Sequence, residues 1–307
     1  MTHFIDIVDH STDWLQHVLD VAHALRAQRQ AGQTNQPILA GKTLAMIFEK
    51  PSLRTRVSFQ QAMYELGGNG IVLHQQEVGL GQRESVADVT RVLCGMVQGI
   101  MARVFEHEKL RQMAEHATVP VINALSDHSH PCQALADIMT IRDEFGEDLT
   151  GRTMAFVGDG NNVSRSLARL CSKLGMNFTL AAPEGYTLES ELFDRINRDV
   201  PGVTAKQISD PIEAVKDADV IVTDTFVSMG QEEEKEQRLP IFAPYQVNAK
   251  LLSQAPEHAI VLHCLPAYRG VEITDEIMDG PRSRVFPEAH NRLHAQKGLL
   301  AVLLGNA

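Results

Sequence analysis

GRTMAFVGDGNNVSRSLARLCSKLGMNFTLAA, residues 151–182, decides the architecture. GRTMAFVGD (151–159) is a strand-like apolar run closed by a glycine turn. Residues 162–174 carry helical spacing, and NFTLAA is a second apolar run. Apolar strands joined through a helix form parallel pairs covered on both faces. The pattern continues downstream with a helix at 188–197, ADVIVTD (218–224), AIVLHC (259–264) and an amphipathic ending, EAHNRLHAQKGLLAVLL. Upstream, a helix at 12–30 puts Leu15, Val18, Leu19, Ala22 and Leu25 on one face, with Ser11 or Thr12 able to cap it. Then come TLAMIFEK (43–50), a helix at about 54–66, GIVLHQ (70–75), a helix at 84–97, GIMARV (99–104), a helix at 106–116, PVINAL (120–125) and a helix starting at Pro131. The fold class is therefore α/β, with doubly wound parallel sheets. At 307 residues the chain exceeds what one hydrophobic core ordinarily serves. The polar stretch DEFGEDLTG (143–151) is the expected boundary, dividing the chain into domains 1–145 and 146–287.

Composition limits what such a molecule does. With 28 Lys+Arg against 39 Asp+Glu the net charge is -11, unsuited to a nucleic-acid footprint, so any anion must be held by a few local arginines and helix N-termini. The N-terminus shows no basic segment followed by an apolar one, and no run is long and apolar enough for a membrane. Cys94, Cys132, Cys171 and Cys264 stand singly without a CxxC pair, which suits reduced thiols in the cytoplasm and neither a disulfide framework nor a zinc site.

In open parallel sheets ligands sit beyond the carboxyl ends of the strands. The polar residues worth attention stand there. FEKPSLRTR (48–56) places Ser52, Arg54 and Thr55 at a strand end and helix start, where hydroxyls, a guanidinium fork and unpaired first-turn N–H groups make an oxyanion cradle. Arg103 follows the next strand. SDHSHPCQ (126–133) sets His130 and Gln133 at a helix start, a donor for a developing oxyanion and a partner for an amide. VGDGNNV (157–163) lacks the third glycine of a dinucleotide loop, and no acid closes the following strand. Asn161 and Asn162 offer amides to a small polar ligand instead. TDTFVSMGQE (223–232) supplies Asp224 for an ammonium group and a Ser228-Met229-Gly230 turn whose backbone suits a carboxylate. HCLPAYRG (263–270) puts Cys264 at a strand end before a proline. Taken singly, each has a plainer reading: a capped helix with surface arginines, a structural histidine, a core cysteine.

Together they resemble one family. FxxPSxRTR, HPxQ, DGNN, SMG, HCLPA and NRLHAQK follow one another as in the carbamoyltransferases, and the SMG and HCLPAYRG…NRLHAQK segments are similar to the ornithine-specific branch. The resemblance runs from about residue 2 to 304. It implies two α/β domains, one for carbamoyl phosphate and one for ornithine, linked by the helices near 131–145 and 288–307, the latter packing back on the first domain.

It also implies the chemistry: transfer of a carbamoyl group from carbamoyl phosphate to the δ-amine of L-ornithine, giving L-citrulline and phosphate, within arginine biosynthesis, the urea cycle or arginine breakdown. Carbamoyl phosphate would meet Ser52, Leu53 (through its backbone), Arg54, Thr55, Arg103, His130 and Gln133, with Cys264, Leu265 and Arg292. Ornithine would meet Asn162, Asp224, Ser228 and Met229. Cys264, Asp224, His130 and Arg103 would be catalytic, with no metal or organic cofactor. A homotrimer, or a multiple of trimers, is implied, each site completed by a neighbour's loop corresponding to 78–85. There this chain departs from the pattern, because Gly79 stands where related enzymes carry Gln or His; either Gln82 or Arg83 replaces that contact or it is absent. An acceptor such as putrescine or an N-acylated ornithine is the alternative, disfavoured by the SMG turn. A nucleotide-dependent oxidoreductase would need the missing glycine fingerprint, and a noncatalytic binder would be expected to lose Arg54, His130 or Cys264.

Overall fold

The structure is a computed structural model that describes residues 2–227 and 232–305. The chain divides into two compact units, one of residues up to Met139 together with those from His290 onward, the other Thr140–Ala289. The helix Pro131–Phe145 leads from the first to the second, and the helix Val285–Gly305 leads back.

In the first unit four parallel strands, β1 (Thr43–Phe48), β2 (Asn69–His74), β3 (Gly99–Arg103) and β4 (Val121–Leu125), lie in the order β2-β1-β3-β4. The first strand is thus interior, and the winding reverses between β1 and β3. The register of β3 on β4 slips between Ala102 and Arg103: Ala102 faces Asn123 while Arg103 faces Leu125. Such a bulge re-aims the side chains that follow. The helix Thr12–Gln30 buries Leu15, Val18, Leu19 and Ala22, and Ser11 rather than Thr12 caps it, accepting from the Trp14 N–H at 3.2 Å. The terminal helix lies so close against this one that a Cβ on Gly298 would stand 2.6 Å from the Ala22 Cβ. Deeper in the same unit, the fully buried Lys297 ammonium donates to Asn35 Oδ1 at 2.6 Å and to Glu65 Oε2 at 2.8 Å, so a buried charge is neutralised where the terminal helix meets the helix Leu53–Glu65.

In the second unit five parallel strands, β5 (Thr153–Val157), β6 (Asn177–Ala181), β7 (Ala205–Ile208), β8 (Val220–Thr223) and β9 (Ile260–His263), lie in the order β7-β6-β5-β8-β9. Again the first strand is interior, and the winding reverses between β5 and β8. Its core gathers Val157, Ile221, Phe226, Phe242, Tyr245 and Val261. Two parallel-sheet α/β units are what the alternating pattern predicts. Strand β7 is not in that pattern, because Ala-Lys-Gln-Ile on a sheet edge carries little apolar signal. The helix expected at 84–97 spans Val86–Cys94, its chain leaving the helix at Gly95.

Candidate active site

The helix Leu53–Glu65 begins where β1 ends, and Ser52 is its N-cap, accepting from the Thr55 N–H at 3.3 Å. Ser52 Oγ also lies 3.0 Å from Thr55 Oγ1. Leu53, Arg54 and Thr55 occupy the first turn, where backbone N–H groups have no helical acceptor and the helix dipole is positive. Arg103 ends the neighbouring strand, largely buried. Glu49 ties the two strand ends together: its N–H donates to the Arg103 carbonyl at 2.9 Å, its Oε2 accepts from the Phe105 N–H at 2.9 Å, and its Oε1 meets the Lys109 ammonium at 2.8 Å.

Arg292, 3% exposed on the terminal helix, donates to Gln133 Oε1 at 2.7 Å and to Thr55 Oγ1 at 3.2 Å. Gln133 in turn donates to Asp137 Oδ1 at 2.7 Å, which fixes its amide orientation. Burial, reinforced by the charges of Arg292, Arg103 and Arg54, holds the His130 imidazole well below its ordinary value. Below that ordinary value the ring is neutral at pH 7. The same burial pushes the Cys132 thiol up to about 12, so Cys132 is an inert core group. The first unit therefore brings together Ser52, Leu53, Arg54, Thr55, Arg103, His130, Gln133 and Arg292, all eight of the positions read for it.

The second unit places its polar residues at the corresponding reversal. Asn161 caps the helix Asn162–Lys173 through Oδ1, which accepts from the Val163 and Ser164 N–H groups at 3.0 and 3.1 Å. Its Nδ2 donates to Asp224 Oδ2 at 2.9 Å. The other oxygen, Oδ1, accepts from the Thr225 N–H at 2.7 Å and from the Cys264 thiol at 3.1 Å. Asp224 thus keeps an orientation set by three donors, with Cys264 against it. Asn161 is spent on this scaffold, while Asn162 opens the helix half-buried beside it. Ser228 and Met229 lie outside the described residues.

The HCLPAYRG stretch also carries His263, which the motif does not single out and which braces the residues after it. The Leu265 N–H donates to His263 Nδ1 at 2.9 Å, so Nε2 carries the ring proton and donates to the buried Glu272 Oε1 at 3.0 Å. Leu265 has φ 57, a left-handed conformation that a branched residue holds only under local constraint. A second unread group is Arg238, 3% exposed, which contacts Asp159, donates to the Phe226 carbonyl at 2.6 Å and to Glu234 Oε2 at 3.1 Å, and lies 4.7 Å from the Tyr186 ring centre. Burial pushes Asp159 up to about 6, against the pull of Arg238. Arg238 lies far in sequence from Asp159, and His263 acts on the Leu265 backbone N–H, so motif spacing gives no sign of either role.

Among the described residues, Asp224, His263 and Cys264 have donor atoms within 4.8 Å of one another. A cation there would have to displace the Leu265 N–H or the Glu272 carboxylate from His263, since both ring nitrogens are engaged.

Arginines and hydroxyls at one reversal and an acid–thiol pair at the other suit a two-unit α/β group transferase. The chain belongs to the aspartate/ornithine carbamoyltransferase family: residues 2–143 match its carbamoyl-P binding domain and residues 150–303 its Asp/Orn binding domain. It is 48% identical over 305 residues to an ornithine carbamoyltransferase of Methanopyrus kandleri, covering 99% of this chain and 97% of that one. It is 53% identical over 271 residues to one of Bacillus subtilis, covering 88% and 85%. The solved ornithine carbamoyltransferase of Pyrococcus furiosus matches with a TM-score of 0.96 at 45% identity, covering 99% of this chain and 97% of that one.

Proposed function

We infer that this chain transfers the carbamoyl group of carbamoyl phosphate to the δ-amine of L-ornithine, giving L-citrulline and phosphate. The observation that carries this reading is the opposite chemistry of two equivalent places: cationic and hydroxyl donors where β1 and β3 part, a carboxylate with a thiol where β5 and β8 part.

In this reading Ser52, Leu53 N–H, Arg54 and Thr55 hold the phosphate, a desolvated dianion matched to a helix N-terminus and a guanidinium fork. Arg103, His130 and Thr55 face the carbonyl oxygen, which gains negative charge when the amine attacks. Gln133, held by Arg292, accepts from the carbamoyl NH₂, and Cys264 and the Leu265 backbone complete the contacts to this group. Asn162, Asp224, Ser228 and Met229 hold ornithine. The δ-amine attacks only after losing its proton, and Asp224 with Cys264 orients it and takes that proton. Phosphate leaves into the cradle that bound it. Holding two substrates in register supplies much of the acceleration.

The assembly we propose is a homotrimer in which the loop 78–85 serves a neighbouring subunit. Gly79 stands there at φ 60 as the cap of a short helix, and a Cβ on it would meet the Arg83 Cβ at 2.7 Å. A side chain at 79 would strain this loop, and the exposed Arg83, paired with Glu84 at 3.3 Å, is its cation. Among the described residues no helix is long and apolar enough to cross a membrane. A cytoplasmic location fits that and the four free cysteines. The test is citrulline formation from carbamoyl phosphate with ornithine, N-acetylornithine, lysine and putrescine as competing acceptors. Ornithine should win by at least tenfold, and preference for any other acceptor overturns the assignment.

A further inference from the structure

We propose that His107, acting through Ser126, is a positioning residue that aims His130 at the carbonyl of the substrate. The inference rests on the carbamoyl-transfer reading above and extends it to a residue outside the motifs quoted for it.

His130 is the last residue of the loop 126–130, between β4 and the helix starting at Pro131, and its carbonyl accepts the helix's first N–H groups from Gln133 at 3.1 Å and Ala134 at 3.3 Å. Its direction is therefore inherited from the loop before it. That loop has no regular ladder, since β4 ends at Leu125, so side chains must fix it. Within it, the Ser126 N–H donates to the Ser129 carbonyl at 3.0 Å and the Ser129 N–H donates to Ser126 Oγ at 3.2 Å, a reciprocal clasp one residue before His130. Asn123 supports one side, donating from Nδ2 to Ser129 Oγ and to the Ile5 carbonyl, each at 2.9 Å.

The other side is held by His107, the first residue of the helix His107–His116. Its ring Nδ1 lies 2.8 Å from Ser126 Oγ, and its N–H donates to Asp127 Oδ1 at 2.9 Å. The Asp127 N–H closes the strap by donating to the Phe105 carbonyl at 2.9 Å. His107 thus grips the clasp serine with its ring and the next residue with its backbone. The ring is 8% exposed, and burial holds it below the ordinary histidine value, so the bond to Ser126 joins neutral partners. Two sequence features place this contact: the helix start four residues after Arg103, and the bulge opposite Ala102 and Arg103, which adds a residue to β4 and shifts the loop after it.

A ring needed only to fill space tolerates phenylalanine. A ring needed for the Ser126 bond does not, yet accepts asparagine, whose amide reaches where Nδ1 stood. We expect His107→Phe to lower kcat about tenfold to a hundredfold while KM for ornithine stays within a factor of two, because the lost contact acts on the developing oxyanion. His107→Asn should recover kcat to within about threefold of the unaltered enzyme. The decisive arm is coupling: in a His130→Ala background, His107→Phe should change kcat by less than a factor of two, since its effect passes through His130. Multiplication of the two losses, or full activity in His107→Phe, overturns the inference. If His107→Phe proves too unstable to assay, Ser126→Ala carries the same cycle with the same expected coupling. The parent reading fails separately and visibly, as absence of citrulline formation by the unaltered chain or as unchanged kcat in His130→Ala alone.

Discussion

Compare the two reversals of winding. Both lie beside an interior first strand, both are followed by a helix whose N-cap is a short polar residue, Ser52 in one and Asn161 in the other, and both receive residues from the next strand over. Yet the first gathers Arg54, Arg103, Arg292 and a neutral His130, and the second gathers Asp224 and Cys264 beside Asp159. The backbone geometry is shared and the charge is reversed. A chain with net charge -11 still concentrates arginines at one place, so global charge says little about a site. The cap residues differ accordingly: Ser52 accepts from the Thr55 N–H and lies against the Thr55 hydroxyl, whereas Asn161 accepts from the Val163 and Ser164 N–H groups and donates its amide to Asp224.

The largest effect should come from breaking the cationic side at its buried center. Arg292→Ala removes the donor to both Gln133 and Thr55 and leaves these partners buried. Steady-state kinetics should show kcat/KM for carbamoyl phosphate falling about 10²–10³-fold, the loss of about 3–4 kcal/mol expected for a buried charge-assisted pair. A loss confined to ornithine KM would mean that Arg292 does not belong to the cradle. On the acidic side, Asp224→Asn should lower kcat/KM for ornithine by roughly thirtyfold, corresponding to about 2 kcal/mol for a neutralised ammonium partner. The pH profile sharpens this: activity of the unaltered enzyme should rise between about pH 6 and 9, because the free amine form grows tenfold per unit below a lysine-like value near 10.4. A flat profile contradicts deprotonation of the amine as the controlling step.

Burial among cations in the first unit should also make it acid-sensitive. Burial, then Lys297, Arg26 and Arg29, lower His294 to about 4. Above pH 6.5 the ring is neutral folded or unfolded and has no effect. As pH falls from 6.5 toward 4 only the unfolded chain takes up the proton, so stability is lost across that window, by about 1–3 kcal/mol. Denaturant midpoints of His294→Gln should fall less between pH 6.5 and 4 than those of the parent, and parallel curves would assign the acid sensitivity elsewhere. The smallest effect belongs to the loop at 79–85. Arg83→Ala should raise KM for carbamoyl phosphate only about two- to fivefold, as an exposed cation does. Refolded mixtures of Arg83→Ala and Arg54→Ala chains should exceed the summed activity of the parents. Activity equal to that sum would leave Arg83 with its Glu84 partner and nothing more.

How far the sequence reveals all this follows from the kind of information each part uses. Strands β1, β3, β5, β8 and β9 announce themselves because they are buried on both faces and written in apolar residues, whereas β7, at an edge with Lys206 and Gln207, does not. Ser52, Arg54, Thr55, His130 and Cys264 are legible as candidates since they stand at strand ends and helix starts, as the apolar runs predict. His263, Glu272, Arg238 and His107 are not, because their partners follow no periodic spacing: Glu272 meets His263 nine residues earlier, His107 meets Ser126 nineteen residues later, and Arg238 meets Asp159 across 79 residues. Asn161 is half legible: the adjacent amides are visible, but which of them caps the helix depends on the extended backbone of residue 161, a fact of the fold.

One measurement bears most directly on the division of labor between the two reversals: calorimetric titration of carbamoyl phosphate into Arg54→Ala and Asp224→Asn. Arg54→Ala should bind at least about thirtyfold more weakly than the parent, the loss of about 2 kcal/mol for a desolvated phosphate deprived of its fork. Asp224→Asn should bind within a factor of about two of the parent, since its carboxylate serves the amine. Normal binding by Arg54→Ala, or an equal loss in Asp224→Asn, would contradict the assignment of the anion to the first reversal and the amine to the second.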